Sequence, residues 1–138
     1  EWYQLYLQVK DRGLELNTFA LPESLFYQLS ADASWDKLEL RLPGRADGPV
    51  AILFSYTGGG HYIPSIIGID YTCNKVFNIY RQTLYQAILH AAELGRKKIR
   101  LGFTAGMEKK KLGACAIACY AYVHSPDGYN MQVVENEL

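Results

Sequence analysis

The sequence predicts an α/β domain: a mixed α+β sheet, mostly antiparallel, with helices packed on its faces. Three observations lead there. Several short stretches place apolar residues at every second position, as half-buried strands do. Val50–Tyr56 is apolar on both faces, which marks a central strand. The long amphipathic helix Asn78–Leu94 lies between strand-like segments at 61–69 and 98–104. That arrangement is a βαβ crossover, expected to be parallel and right-handed.

The elements follow in order. Tyr3, Leu5, Leu7 and Val9 alternate with Gln4, Gln8 and Lys10, and Leu14, Leu16 and Thr18 resume the period after Asp11-Arg12-Gly13. This predicts a hairpin over residues 2–18. Leu21-Pro22-Glu23 opens a short helix with Leu25, Phe26 and Leu29 on one face, ending near Ser30. Trp35–Leu42 alternates again, with Leu38, Leu40 and Leu42 inward, and residues 43–49 form a loop. After Val50–Tyr56, Gly58-Gly59-Gly60 makes the turn into a strand over His61–Ile69, where Pro64 demands an edge or a bulge. In the long helix, Tyr80, Leu84, Ile88 and Ala91 form the apolar stripe, with Gly95 as C-terminal cap. Ile99, Leu101 and Phe103 suggest a strand, Gly106–Leu112 a short helix, and residues 114–124 a last strand before a turn at Ser125–Gly128.

With 138 residues, 49% of them hydrophobic and 20% charged, the chain makes one domain over 1–138 with a real core. Fourteen Lys+Arg balance fourteen Asp+Glu, so gross charge drives no binding to nucleic acid or membrane. No apolar run approaches the ~20 residues of a spanning helix. Glu1-Trp2-Tyr3 carries neither an initiator Met nor a signal-like segment, which predicts a piece of a longer polypeptide. Cys73, Cys115 and Cys119 form no C-x-x-C pair and have no nearby His cluster. They predict free thiols, a cytoplasmic setting and no metal site. His61, His90 and His124 are too dispersed to suggest a catalytic triad.

The element order resembles the GNAT superfamily of acyl-CoA N-acyltransferases. More specific segments are Gly68-Ile69-Asp70-Tyr71, Asn78-Ile79-Tyr80-Arg81-Gln82-Thr83-Leu84-Tyr85, Leu101-Gly102-Phe103-Thr104-Ala105 and the Lys109-x-x-Leu-Gly-Ala114 run. These resemble the Fem-like branch over about residues 60–124; the N-terminal third matches only in element order. The resemblance implies a GNAT-like fold with a V-shaped cleft and an acetyl-CoA or other acyl-CoA substrate. It implies acyl transfer to a small amine or amino acid, without a metal. Some members of the branch are fused to pyridoxal-phosphate acyl-condensing enzymes, which implies such a domain as a partner. The family's usual pyrophosphate loop, Gln/Arg-x-x-Gly-x-Gly/Ala, has no counterpart here, since Asp70–Asn78 contains no glycine. The alternative is therefore a non-catalytic module that uses the same cleft for ligand binding or domain docking.

Acyl transfer needs a carrier clamp, a base for the amine and a proton donor for the leaving thiolate. The clamp candidates are Lys75, Asn78 and Arg81 at the start of the long helix, where free backbone N–H groups favour anions. By resemblance, Thr104 and Lys109 join them, Lys109 as the lysine that faces a phosphorylated ligand. Asp70, at the end of the proline-bearing strand, is the candidate base or else a turn cap. Tyr120 and Tyr122, on one face of the expected last strand, are the candidate acids. Lys109-Lys110-Lys111 reads equally as a solvated basic face.

Overall fold

The computed structural model describes residues 1–13, 19–120 and 122. Within them, four strands form a mixed sheet in the order β1-β2-β3-β4. These are β1 (Trp35–Leu40), β2 (Ala51–Tyr56), β3 (His61–Ile69) and β4 (Lys98–Ile99). Five α-helices accompany them: α1 (Trp2–Lys10), α2 (Glu23–Ala31), α3 (Tyr71–Phe77), α4 (Ile79–Glu93) and α5 (Gly106–Lys111). No described helix is long and apolar enough to cross a membrane.

Strand β2 is the centre of the sheet. Residues 51–55 are all buried, as expected for a strand covered on both faces. On one face, Ile52 and Phe54 pack with Leu5, Tyr6 and Phe26 from α1 and α2. On the other, Leu53 meets Tyr62, Ala87 and Ala91 beneath α4. The aromatic ring of Phe26 is edge-on to both Tyr3 and Phe54, at centroid distances of 5.6 Å in each case. Burial of this kind contributes about 1.5–3 kcal/mol per large side chain.

Two expectations about the chain ends are corrected. Residues 2–10 form a helix, not the first strand of a hairpin. Trp2, Leu5, Tyr6 and Val9 follow the i, i+3, i+4, i+7 spacing, and all four pack against the core. A strand would have turned Trp2 and Tyr6 to the polar face, away from that core. Residues 14–18, the expected second strand, lie outside the described residues. Likewise 114–120 pair with no described strand. Alternation marks a face, but a strand also needs an edge to receive its N–H and C=O groups. The Ser125–Gly128 turn and the terminal apolar pair lie outside the described residues.

The parallel pairing expected of the crossover is present. β3 pairs antiparallel with β2 and parallel with β4, through His61↔Lys98 and Tyr62↔Ile99. The β2–β3 register slips between Phe54 and Ser55: Phe54 faces Ile66 and Ser55 faces Pro64, leaving Ser65 as the extra residue. Pro64, which cannot donate to a ladder, thus sits at a bulge. The β4 ladder stops at Ile99, and Gly102 adopts a left-handed φ of 76° as the chain leaves the sheet. The strand expected over 98–104 is therefore cut short at Lys98–Ile99, and Phe103 is exposed.

Between β3 and the long helix the chain forms a helix of its own, α3. Asn78, with φ 50°, ends α3 and starts α4. Its own side chain caps neither helix, but Asn74 Oδ1 accepts the Tyr80 N–H at 2.9 Å. Gly95, φ 66°, closes α4, with Arg96 N–H returning to the Ala91 carbonyl.

Candidate functional site

Where β4 leaves β3, a cavity of about 520 Å³ opens along the vacated edge. One side is the run Ile63–Ile67 of β3; another is Leu101–Thr104 with Lys109. Tyr80 and Leu84 of α4 line it as well. The lining is mainly apolar, and among the described residues no carboxylate belongs to it. A second cavity of about 360 Å³ adjoins at Tyr80, which lines both. Its walls are polar: Asn74, Asn78, Arg81 and Glu108, with Tyr71 and Ala105.

Both N-caps around this polar pocket are left-handed non-glycine residues, Asn78 at φ 50° and Ala105 at φ 54°. Such backbone is unfavourable by about 1 kcal/mol or more for alanine, and its occurrence twice at one pocket is unusual. Arg81 spans the pocket: its Nε and Nη2 each lie 2.8 Å from Glu108 Oε2. Lys111 Nζ is 2.5 Å from the other carboxylate oxygen. The hydrogen bonds from Lys111 and then Arg81 hold the Glu108 carboxyl below its ordinary range, so it stays charged near neutrality.

Lys109, on the last turn of α5, lines the apolar cavity. It is only 7% exposed, and its Nζ donates to the Thr104 carbonyl. Burial pushes its ammonium down from the ordinary lysine value. Thr104 and Lys109 are therefore together, as expected, in the lining of the apolar cavity. Asn78 and Arg81 line the polar one, with Arg81 already engaged by Glu108. Lys75 is exposed on α3 and lines neither cavity.

No family model, curated protein or solved structure matches this chain.

The expected proton carriers stand elsewhere. Asp70 is 8% exposed and lines neither cavity. Its Oδ1 accepts the Thr72 N–H at 2.9 Å and the Thr72 hydroxyl at 2.6 Å, capping α3. Its Oδ2 is 3.0 Å from Arg45 Nη2. Burial alone would raise this carboxyl, but the Thr72 hydrogen bonds and Arg45 outweigh it and hold it low. That is the environment of a structural cap, the alternative reading of this residue. Tyr120 and Tyr122, at 84% and 97% exposure, border neither cavity, because the strand that was to carry them is absent among the described residues.

Tyr80 is the residue that sequence reasoning passed over, taken only as part of the apolar stripe. It lies one residue beyond Ile79, at the first turn of α4, and its phenol is half-buried between the cavities. Burial, and then the neighbouring Tyr71 and Glu108, raise its ordinary value, so it keeps its proton and remains a hydrogen-bond donor. The available signal was its place: a phenol at the opening turn of the crossover helix faces the end of the parallel pair.

Proposed function

We propose that this domain is an acyl-CoA N-acyltransferase of GNAT-like fold, holding an acyl carrier in the cleft between β3 and the β4–α5 segment. The observation that carries the reading is the parting of the parallel pair. β4 accompanies β3 for two residues and, among the described residues, leaves its edge open along an apolar cavity. An open edge presents alternating N–H and C=O groups to an extended, amide-bearing ligand, much as it would to an added strand. The carrier's acyl arm then runs along residues 63–67, and its anionic end faces Asn78 and Arg81 at the start of α4. Tyr80, between the two cavities, donates a hydrogen bond to the departing thiolate. The acceptor is a small amine or amino acid, which attacks the thioester carbonyl; the C–N bond forms and the C–S bond breaks.

A second reading has its own support. No carboxylate among the described residues lines the apolar cavity, and Asp70 is committed to α3 and Arg45. Among the described residues an amine acceptor thus meets no carboxylate base within that cavity, which suits a module that binds the carrier without turnover.

Thermal denaturation with acetyl-CoA, longer acyl-CoAs and free CoA tests the first step. A ligand specific for the folded state adds about 2.7 kcal/mol at a hundredfold excess over its Kd, a shift of several degrees. No shift with any of them, to millimolar concentration, removes both readings of the cleft. A shift without acyl transfer to a panel of amines selects the module.

A further inference from the structure

Lys109 is held unlike the other lysines of its run. Lys110 and Lys111 are exposed, and Lys111 is paired with Glu108. Lys109 is buried, and its one hydrogen-bond partner among the described residues is a neutral backbone carbonyl, that of Thr104. The adjacent Glu108 carboxylate is taken up by Arg81 and Lys111. Leu101, Gly102, Phe103 and Thr104 line the same cavity as Lys109. Gly102 brings no side chain: a Cβ there would lie 3.9 Å from the Lys109 Nζ.

An ammonium ion in such a place has lost water and gained no counter-charge among the described residues, which shifts its balance toward the neutral amine. A neutral amine in an apolar cavity is a nucleophile. A phosphate clamp would need the reverse, a cation kept charged among further donors.

We propose that Lys109 is an acylation site: its side-chain amine takes the acyl group of a thioester that enters the apolar cavity. The inference deepens the reading of the cleft as an acyl-carrier site and rests on it for delivery of the thioester. The amine lone pair attacks the thioester carbonyl carbon, a C–N bond forms, the C–S bond breaks, and the thiolate departs. One proton passes from the nitrogen to that thiolate, giving thiol and a secondary amide. The remaining amide N–H keeps the Thr104 carbonyl as acceptor. The product occupies part of the cavity and removes the Lys109 amine, so acylation hinders entry of further carrier.

The test incubates the folded chain near pH 7.5 with acetyl-CoA and, separately, with S-acetyl-N-acetylcysteamine, a thioester without a nucleotide. Peptide mass spectrometry then gives acetylation rates at Lys109, Lys110 and Lys111. Lys109 should react faster than either neighbour by about tenfold or more, a modest part of what orienting two reactants can contribute. The preference should vanish in denaturing urea, where the cavity is gone. Lys109→Arg, checked for folding by its melting curve, should reduce total acetylation to that of the exposed amines. If that variant does not fold, the site-resolved rates of the wild-type chain still decide. Equal rates at the three lysines with both thioesters overturn the proposal, even where acetyl-CoA raises the melting temperature. Selective acetylation by the small thioester, with no binding of CoA, upholds the reactive amine and removes the acyl-CoA reading instead.

Discussion

Replacing Asp70 separates its two possible roles, base and cap, by different readouts. The carboxylate accepts two hydrogen bonds from Thr72 and faces Arg45 at 3.0 Å. Loss of an N-cap costs about 0.5–2 kcal/mol, and a hydrogen bond to a charged partner about 1.5–3, with strong overlap between these terms. The Arg45 side chain is one-third exposed, so its share is discounted. Asp70→Ala should therefore lose about 2–4 kcal/mol, and Asp70→Asn, which retains an acceptor for Thr72, about 1–2. Urea titrations at neutral pH measure both. The pH dependence follows from the lowered carboxyl. The folded state binds that proton less readily than the unfolded chain, so the contribution is complete above the ordinary carboxylate range. It is lost as pH falls through the folded value. The gap between wild type and Asp70→Ala should thus narrow in acid. An Asp70→Ala chain within 0.5 kcal/mol of wild type at neutral pH would refute the cap, a margin that ordinary surface substitutions also keep. A large loss of turnover in a fully stable Asp70→Asn chain would restore the base.

Three further outcomes are expected. Gly68→Ala places a Cβ 2.6 Å from the Tyr6 nitrogen and 2.7 Å from the Leu5 carbonyl carbon, both backbone atoms of α1. It should cost about 1–3 kcal/mol or more by urea titration, and a neutral result would refute the close approach of α1 to β3. Glu108→Gln releases Arg81 and Lys111, so CoA or pyrophosphate should bind about fivefold tighter at low salt, with the gain fading as salt rises. Unchanged binding in calorimetry would remove Arg81 from the clamp. Tyr62→Phe removes the hydroxyl that donates to Asp36 Oδ2 at 2.6 Å and should cost about 1–3 kcal/mol. Burial, and then that hydrogen bond, raise the Tyr62 phenol well above its ordinary value. Its contribution is therefore complete below the ordinary tyrosine value near 10 and is lost as pH rises above it. The variant should show a flatter alkaline limb in stability measurements.

The centre of the fold was legible because its signals were redundant. Val50–Tyr56 is apolar on both faces, and Pro64 permits only a bulge or an edge, so β2, β3 and the crossover to α4 followed. The ends carried two periods at once. Trp2–Val9 contains both the alternation Tyr3, Leu5, Leu7, Val9 and the helical set Trp2, Leu5, Tyr6, Val9. The helical set prevailed because Leu5 and Tyr6 reach Phe26, Ile52 and Phe54 together. For 114–122 the alternation was real, but pairing depends on an edge elsewhere in the chain, which local pattern does not encode. The site was half legible for a similar reason. Lys109 and Thr104 are five residues apart and meet through one turn of chain, whereas the engagement of Arg81 by Glu108 spans 27 residues.

These placements bear on what the cleft can do. A carrier binding at the start of α4, as proposed, would find the Arg81 guanidinium already paired with Glu108. Binding of the anionic end must then displace a carboxylate that is itself held low by two cations, which lowers affinity by the energy of that pair. The apolar trough has no such competitor. Most of the discrimination among ligands should therefore come from the acyl arm along β3 rather than from the nucleotide. Longer acyl chains, which bury more surface against Leu84, Leu101 and Phe103, should bind more tightly than acetyl by up to about 0.8 kcal/mol per buried methylene. A melting-temperature series from acetyl- to octanoyl-CoA measures this directly. A flat series, with free CoA as effective as the longest thioester, would locate the affinity in the polar pocket and exclude the trough as the acyl site.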